Sequence, residues 1–361
     1  MSSHIKTLDD LHNYLHAAVQ LEHATIPPYL MALYTIHPGT NSDAYHVIRV
    51  VAVEEMLHLT LAANLLNAVG GTPDLTRAGF VPQYPTALPD GESDFKVDVQ
   101  RFSLAAVETF LKIERPRKAP NEEARVRRKP RGAHTRLAAA THHADSEMHF
   151  YSIGEFYEEI RRGIESLHAN AVKAGGTLFV GDQRRQAGPE YYYSGGGKLI
   201  AVTDLETASE AIRLISEQGE GLGGKIFDKE KELAHYYRFQ QLLLGRYYQT
   251  GDKHDHPTGP PLKVDWDAVY PVKTNARLED YPEGSELRAA AVEFNEFYGA
   301  FLTLLTEAYT GQPQLLLEAV PYMFRIRDKL ARLIHNPIPG VEGVNAAPTF
   351  DINPVAAKVG L

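Results

Sequence analysis

The chain has 361 residues, 43% of them apolar and 23% charged, enough apolar side chain for a sizeable core and the wrong composition for a disordered polymer. A formal net charge of −9 argues against nucleic acid as a partner. The absence of cysteine excludes disulfides, thiolate zinc sites, iron–sulfur clusters and a cysteine nucleophile, so any metal must be held by carboxylate and imidazole groups.

The first ten residues are polar and lack the apolar stretch of a signal peptide. No apolar run approaches the roughly 18–20 residues that a membrane span needs. A soluble, cytoplasmic chain with no membrane partner is expected. A helix is predicted over 8–36, with Leu11, Leu15, Ala18, Leu21, Glu22, Thr25, Tyr29 and Leu33 along one stripe. Thr7 supplies its N-cap, with Asp10 at the third helical position. Pro27 and Pro28 predict a kink or an opened hydrogen-bond ladder one turn after Glu22. Asn41 or Ser42 starts a second helix that runs to about Val69 and is stopped by Gly70-Gly71-Thr72-Pro73.

Residues 72–102 read as irregular, and Ser103 caps a short helix from Leu104 to Ile113. A charged loop is predicted over 114–133, and its basic run from Arg125 to Arg131 reads as solvated. A third long helix starts at Leu137 or Met148 and ends at Ala174. Residues 177–202 are irregular, and Thr203 or Asp204 caps a helix through Gln218. A fourth long helix is predicted from Asp228 to Tyr248, then a Pro-rich connection over 249–283, helices over 284–310 and 313–335, and an extended tail. The fold class is all-α, a four-helix bundle with long inter-helix insertions and two extra C-terminal helices. Residues 1–250 form the bundle, with insertions at 72–135 and 177–225. Residues 251–361 hold the Pro-rich connection and the C-terminal helices, packed on the same domain.

Two Glu-x-x-His pairs carry the chemistry: Glu55 with His58 in the second helix, and Glu232 with His235 in the fourth. On a helix this spacing puts carboxylate and imidazole one turn apart on one face, able to grip one ion. Di-metal carboxylate bundles need such a pair on two helices and an inward glutamate from each of the other two. Helix one offers Glu22 on its apolar stripe, where an unpaired carboxylate would be costly. Helix three offers Glu155, Glu158 or Glu159, and periodicity does not choose among them. Imidazole and carboxylate ligands suit iron or manganese. One Glu-x-x-His pair alone is commonly a surface feature; two of them with a buried-stripe glutamate are far more specific.

Several stretches resemble a known family. Leu21-Glu22-His23-Ala24-Thr25-Ile26-Pro27-Pro28-Tyr29, Val53-Glu54-Glu55-Met56-Leu57-His58, Asn64-Leu65-Leu66-Asn67, Ile153-Gly154-Glu155-Phe156-Tyr157, Gln218-Gly219-Glu220-Gly221 and His235-Tyr236-Tyr237-Arg238-Phe239 are similar to segments of the ferritin-like family that includes the iminophenyl-pyruvate dimer synthases of violacein- and rebeccamycin-type pathways. The resemblance covers roughly residues 8–250. It implies a ferritin-like fold and favours Glu155 as the third-helix ligand. Characterised members couple imine products of aryl amino-acid oxidation in secondary metabolism, and they are much longer chains.

The expected centre is therefore a pair of iron ions, with manganese or a mixed pair as alternatives, held by Glu22, Glu55, His58, Glu155, Glu232 and His235. Tyr29, Tyr34, Phe156 and Tyr236 are expected to line the substrate pocket. The expected function is a non-haem di-iron oxidase or oxygenase that acts with dioxygen on a small, aromatic or amino-acid-derived metabolite. The alternatives are a ferroxidase or storage protein and an imine-coupling synthase. A homo-oligomer is compatible with the sequence.

Overall fold

The computed structural model describes residues 3–91, 94–116, 150–192, 196–221, 225–227 and 231–352. The charged loop expected after Glu114, its basic run and the expected starts of the third and fourth long helices lie largely outside the described residues. Among those described, the chain is helical and has only isolated β-bridges.

Helix α1 runs Leu8–Thr35 and α2 runs Ser42–Ala68. Thr7 and Asp10 close a reciprocal capping box at the start of α1, which satisfies two backbone donors that no helical carbonyl can reach. α1 continues through Pro27 and Pro28. Pro28 cannot donate to the carbonyl of Ala24 four residues back, and the Tyr84 hydroxyl donates to that carbonyl instead, at 2.7 Å. An outside donor thus replaces the missing rung.

α3 is Leu104–Ile113, capped by Ser103, and α4 is Ile153–Lys173, capped by Ser152. α5 spans Leu205–Glu220 behind an Asp204–Thr207 capping box, and α6 is the ten-residue helix His235–Leu244. α7 (Glu286–Tyr309) and α8 (Leu316–Ile334) pair with each other.

α1 packs along α2, α4 along α5, and the two pairs meet through α1 with α4 and α2 with α5. This four-helix arrangement departs from the expected one in its last member. The predicted helix at 228–248 is reduced to α6 among the described residues, and α5, which falls in the expected insertion at 177–225, takes the fourth place in the bundle. α3 and α6 pack on each other beside α2 and α5. Side chains of α7 and α8, including Phe294, Leu305, Met323 and Leu330, are buried in the same apolar core as those of α1 and α2.

The irregular segment before α5 is strapped to α2 by amide side chains. Asn64 donates to the carbonyls of Ala187 and Ile200 and accepts from the Ala187 amide. Gln186 donates to the Asn64 carbonyl, and the Tyr192 hydroxyl donates to that of Val53. These bonds supply the backbone partners that a segment without regular structure lacks.

Candidate metal centre

Three carboxylates and two imidazoles converge where α1, α2, α3 and α6 meet, and all five side chains are buried. Glu22 comes from α1, and Glu55 and His58 come from successive turns of α2. Glu114 is the C-cap of α3, and His235 is the first residue of α6. The Oε1 atom of Glu55 lies between the two rings, 3.4 Å from His58 Nδ1 and 3.2 Å from His235 Nδ1. His58 Nδ1 is also 3.7 Å from Glu22 Oε2, and His235 Nδ1 is 3.4 Å from Glu114 Oε2. The imidazole planes are 27° apart with centroids at 5.4 Å.

Each of these groups is held by another on its far side. Tyr157 donates to Glu22 Oε1 at 2.5 Å, Thr25 to Glu55 Oε2 at 2.7 Å, and Tyr29 to Glu114 Oε1 at 2.5 Å. His58 Nε2 meets Gln218 Oε1 at 2.9 Å, and His235 Nε2 meets Glu54 Oε2 at 2.8 Å. One oxygen of every carboxylate and one nitrogen of every ring are thereby engaged outward, and the other faces the common centre. His235 Nδ1 is shielded from solvent and has no hydrogen-bond partner. A buried orphan nitrogen costs about 1–3 kcal/mol, and a cation at the centre would remove that cost.

The electrostatics carry the same strain. Burial raises the Glu22 carboxyl to about 8, reinforced by the nearby charge of Glu55. Burial raises Glu114 in the same way, again with Glu55 adding to it. Burial would raise Glu55 too, but the His235 and His58 rings beside it outweigh that and hold the carboxyl below its usual range. Burial disfavours the charged form of both rings, yet Glu55 and Glu22 raise His58, and Glu114, Glu54 and Glu55 raise His235 well above the usual imidazole value. Three acids crowd a volume that has only two basic rings to balance them.

The donor set fits a metal. Ligating atoms of Glu55, His58 and His235 lie within 4.8 Å of one another. Metal–nitrogen and metal–oxygen bonds of about 2.0–2.2 Å put two donors on one ion roughly 3–3.6 Å apart, which matches the separations around Glu55 Oε1. The orienting partners on Nε2 of both rings are the arrangement that fixes tautomer and ring plane in ligating histidines. A cavity of about 20 Å³ opens beside Glu22, Glu55, His58, Glu114 and Glu220, room for one water-sized guest.

Two predicted ligands are not part of this cluster. Glu155 stands at the third position of α4, its Nα bonded to the Ser152 hydroxyl and its Oε2 accepting from the Tyr151 amide at 3.0 Å. Its carboxylate serves the helix start. The neighbouring Gly154 is what faces the site: a Cβ there would lie 2.1 Å from Glu220 Oε1. The other third-helix options are also engaged elsewhere, Glu158 with Arg161 and Arg162, and Glu159 with Ser3 and the His4 amide. Glu232 is 66% exposed and pairs with Arg238 at 3.1 Å. It precedes α6, and Lys231 beside it has a left-handed φ of 67°, so the one-turn spacing that a helix would impose is absent.

None of the four expected pocket residues lines the small cavity. Tyr29 holds Glu114, and Phe156 packs in the core against Tyr14, Phe150 and Tyr157. Tyr236 faces Tyr237 and His254, and Tyr34 lines a separate cavity. Glu114 joins the cluster from outside the expected set, although its position is signalled in the sequence. Ala106, Val107, Phe110 and Ile113 are the buried stripe of α3, and Glu114 continues that stripe, seven residues after Val107 and four after Phe110.

The family model for Ferritin-like proteins matches residues 15–244. Among solved structures, a ferritin-like protein from Caulobacter vibrioides aligns with a TM-score of 0.55 and 22% identity, over 89% of this chain and 97% of that one. No curated protein matches significantly in sequence. The match spans both sides of the metal-competent cluster and most of the bundle, and the chain belongs to the Ferritin-like family.

Proposed function

We propose that this chain is a non-haem di-iron oxidoreductase that uses dioxygen on a small metabolite. In this reading Glu22, Glu55 and His58 would hold one ion and Glu114 and His235 the other, with Glu55 Oε1 lying between the two rings. The observation that carries the reading is the doubled anchoring of the buried cluster: each carboxylate and each ring has one polar atom fixed outward and one left facing the centre. A bound iron pair would supply the electrons and the Lewis acidity for dioxygen chemistry.

The chain's own residues do the rest. Burial holds the Tyr29 and Tyr157 hydroxyls protonated far above the usual phenol range, helped by Glu114 and Glu22, so both remain donors to their carboxylates at any physiological pH. Glu22 and Glu114 can therefore swing their free oxygens while the bonded ones stay in place. Ile113, Ile153 and Ile215 wall the cavity with apolar surface, which limits water beside the ligands.

Anaerobic addition of ferrous ion followed by air tests this reading. The expected result is saturation near two irons per chain and oxidation that stops at that stoichiometry. Continued iron oxidation with growth of a mineral core would show an iron-storage protein instead, and failure to bind iron would refute the proposal.

A further inference from the structure

The two halves of the buried cluster match in most respects. Each offers one imidazole Nδ1 and one carboxylate held by a tyrosine, Glu22 by Tyr157 and Glu114 by Tyr29, and Glu55 Oε1 lies between the two rings. They differ in what stands behind the rings. His235 Nε2 meets a carboxylate oxygen of Glu54, whereas His58 Nε2 meets the neutral amide oxygen of Gln218. Both partners are buried, Glu54 at 4% exposed and Gln218 at 9%, so the difference in charge is little screened.

The surroundings fix both partners. The Gln218 amide nitrogen donates to the Gly196 carbonyl, which leaves the amide oxygen for the His58 ring. Gly196 has a left-handed φ of 78°, and a Cβ there would lie 2.5 Å from Glu54 Cγ. One glycine turn thus touches both partners, orienting the amide and leaving room for the carboxylate. The other Glu54 oxygen stands 3.7 Å from an Arg238 guanidinium nitrogen. With an acceptor at each Nε2, both rings keep a proton there and present Nδ1 to the centre.

A carboxylate behind a ligating imidazole raises the basicity of that ligand, and a hydrogen bond to an ionised acceptor is roughly twice as strong as one to a neutral acceptor. We propose that Glu54 and Gln218 make the two metal positions unequal: the ion at His235 is held tightly, and the ion at His58 is the weaker, exchangeable one. Access points the same way. His58, Glu22 and Glu55 all line the small cavity, whereas on the other side only Glu114 reaches it and His235 does not. The inequality rests on the two-ion reading of the cluster. Glu54 and Gln218 act on the ions only through the rings, so both are positioning residues.

Anaerobic calorimetric titration of the metal-free full chain with ferrous ion tests the proposal. Two binding steps are expected, the first at least about tenfold tighter than the second. Glu54→Gln keeps an acceptor behind His235 and removes its charge. It should weaken the first step about tenfold and spare the second, so that the two steps merge. Gln218→Met should weaken the second step alone, by about tenfold. A merely structural role for either residue would instead lower both steps together. Circular dichroism checks that each variant is folded. Should either fail to fold, anomalous diffraction from parent crystals loaded with one ferrous ion per chain decides, and a single peak beside His235 is expected. Two equal steps in the parent, a first peak beside His58, or a folded Glu54→Gln variant in which both steps or neither move would overturn the inequality and leave the two-ion reading standing. A parent chain that binds no ferrous ion would remove both.

Discussion

The two sides of the metal-competent cluster are built differently. Glu22, Glu55 and His58 stand within helices of 28 and 27 residues that lie along each other, where several turns of backbone bonding hold each Cα on both sides. Glu114 and His235 stand at the ends of two ten-residue helices, where one direction of that support is missing. Side chains make up the difference: Tyr29 fixes Glu114, and Glu54 fixes His235. A site can thus be held firmly from helix interiors or from helix ends, but the ends need outside partners, and those partners are as much part of the site as the ligands.

Removing Glu55 should have the largest effect. Glu55→Ala is expected to remove both ions, measured as iron per chain by elemental analysis, with helical content retained. Glu114→Ala should remove about one ion, because it strips only the helix-end side, whereas Glu155→Ala and Glu232→Ala should bind iron as the parent does. Equal iron loss in the Glu114 and Glu155 variants would show that the two carboxylates do not differ in metal binding.

The long-helix side has its own weak point. Tyr84→Phe leaves the Ala24 carbonyl opposite Pro28 without its donor, and a loss of about 1–3 kcal/mol in denaturant-measured stability is expected. If stability is unchanged, α1 does not depend on that bond.

The two sides also differ from the unfolded chain in acidity. In the metal-free protein the Glu22 carboxyl titrates near 8, above the usual 4.5. Between those values the folded state holds a proton that the unfolded chain has released, so stability falls as pH rises through that window. His58 and His235, both raised, act with the same sign: their contribution is full below the usual imidazole value of 6.5 and is lost as pH rises above it. Metal binding needs these groups deprotonated. The melting temperature of metal-free protein should therefore drop by a few degrees from pH 5 to pH 9, while the gap to the iron-loaded protein widens. A metal-free protein that gains stability over that range would contradict the crowding of acids described here. The smallest expected effect is that of Glu155→Ala, about 1 kcal/mol from the lost bond to the Tyr151 amide, with iron content unchanged.

Much of the long-helix side could be read from the chain itself. The Thr7 box, the Gly70 stop and the stripe carrying Glu22 are local signals, and the structure bounds α1 and α2 within a residue or so of those readings. On the helix-end side the structure places the residues differently from the sequence expectation, for identifiable reasons. Glu155 has the spacing of a ligand, but it also has the spacing of a capping partner to Ser152, and the two look alike in one dimension. Glu232 and His235 keep the one-turn interval only if a helix runs through both, and the left-handed backbone at Lys231 marks where it does not. Glu114 was hidden by the charged sequence after it, although the apolar stripe of α3 leads directly to its position. The departure at α5 has a similar origin, since a helix between two irregular stretches gives no local sign of whether it belongs to the bundle.

Anomalous diffraction from crystals soaked in ferrous ion would locate any metal in the buried cluster. Two iron peaks are expected, one among Glu22, Glu55 and His58 and one among Glu55, Glu114 and His235, with Glu155 and Glu232 contacting neither. Iron bound by Glu155 or Glu232, or no iron between the two imidazoles, would contradict this expectation.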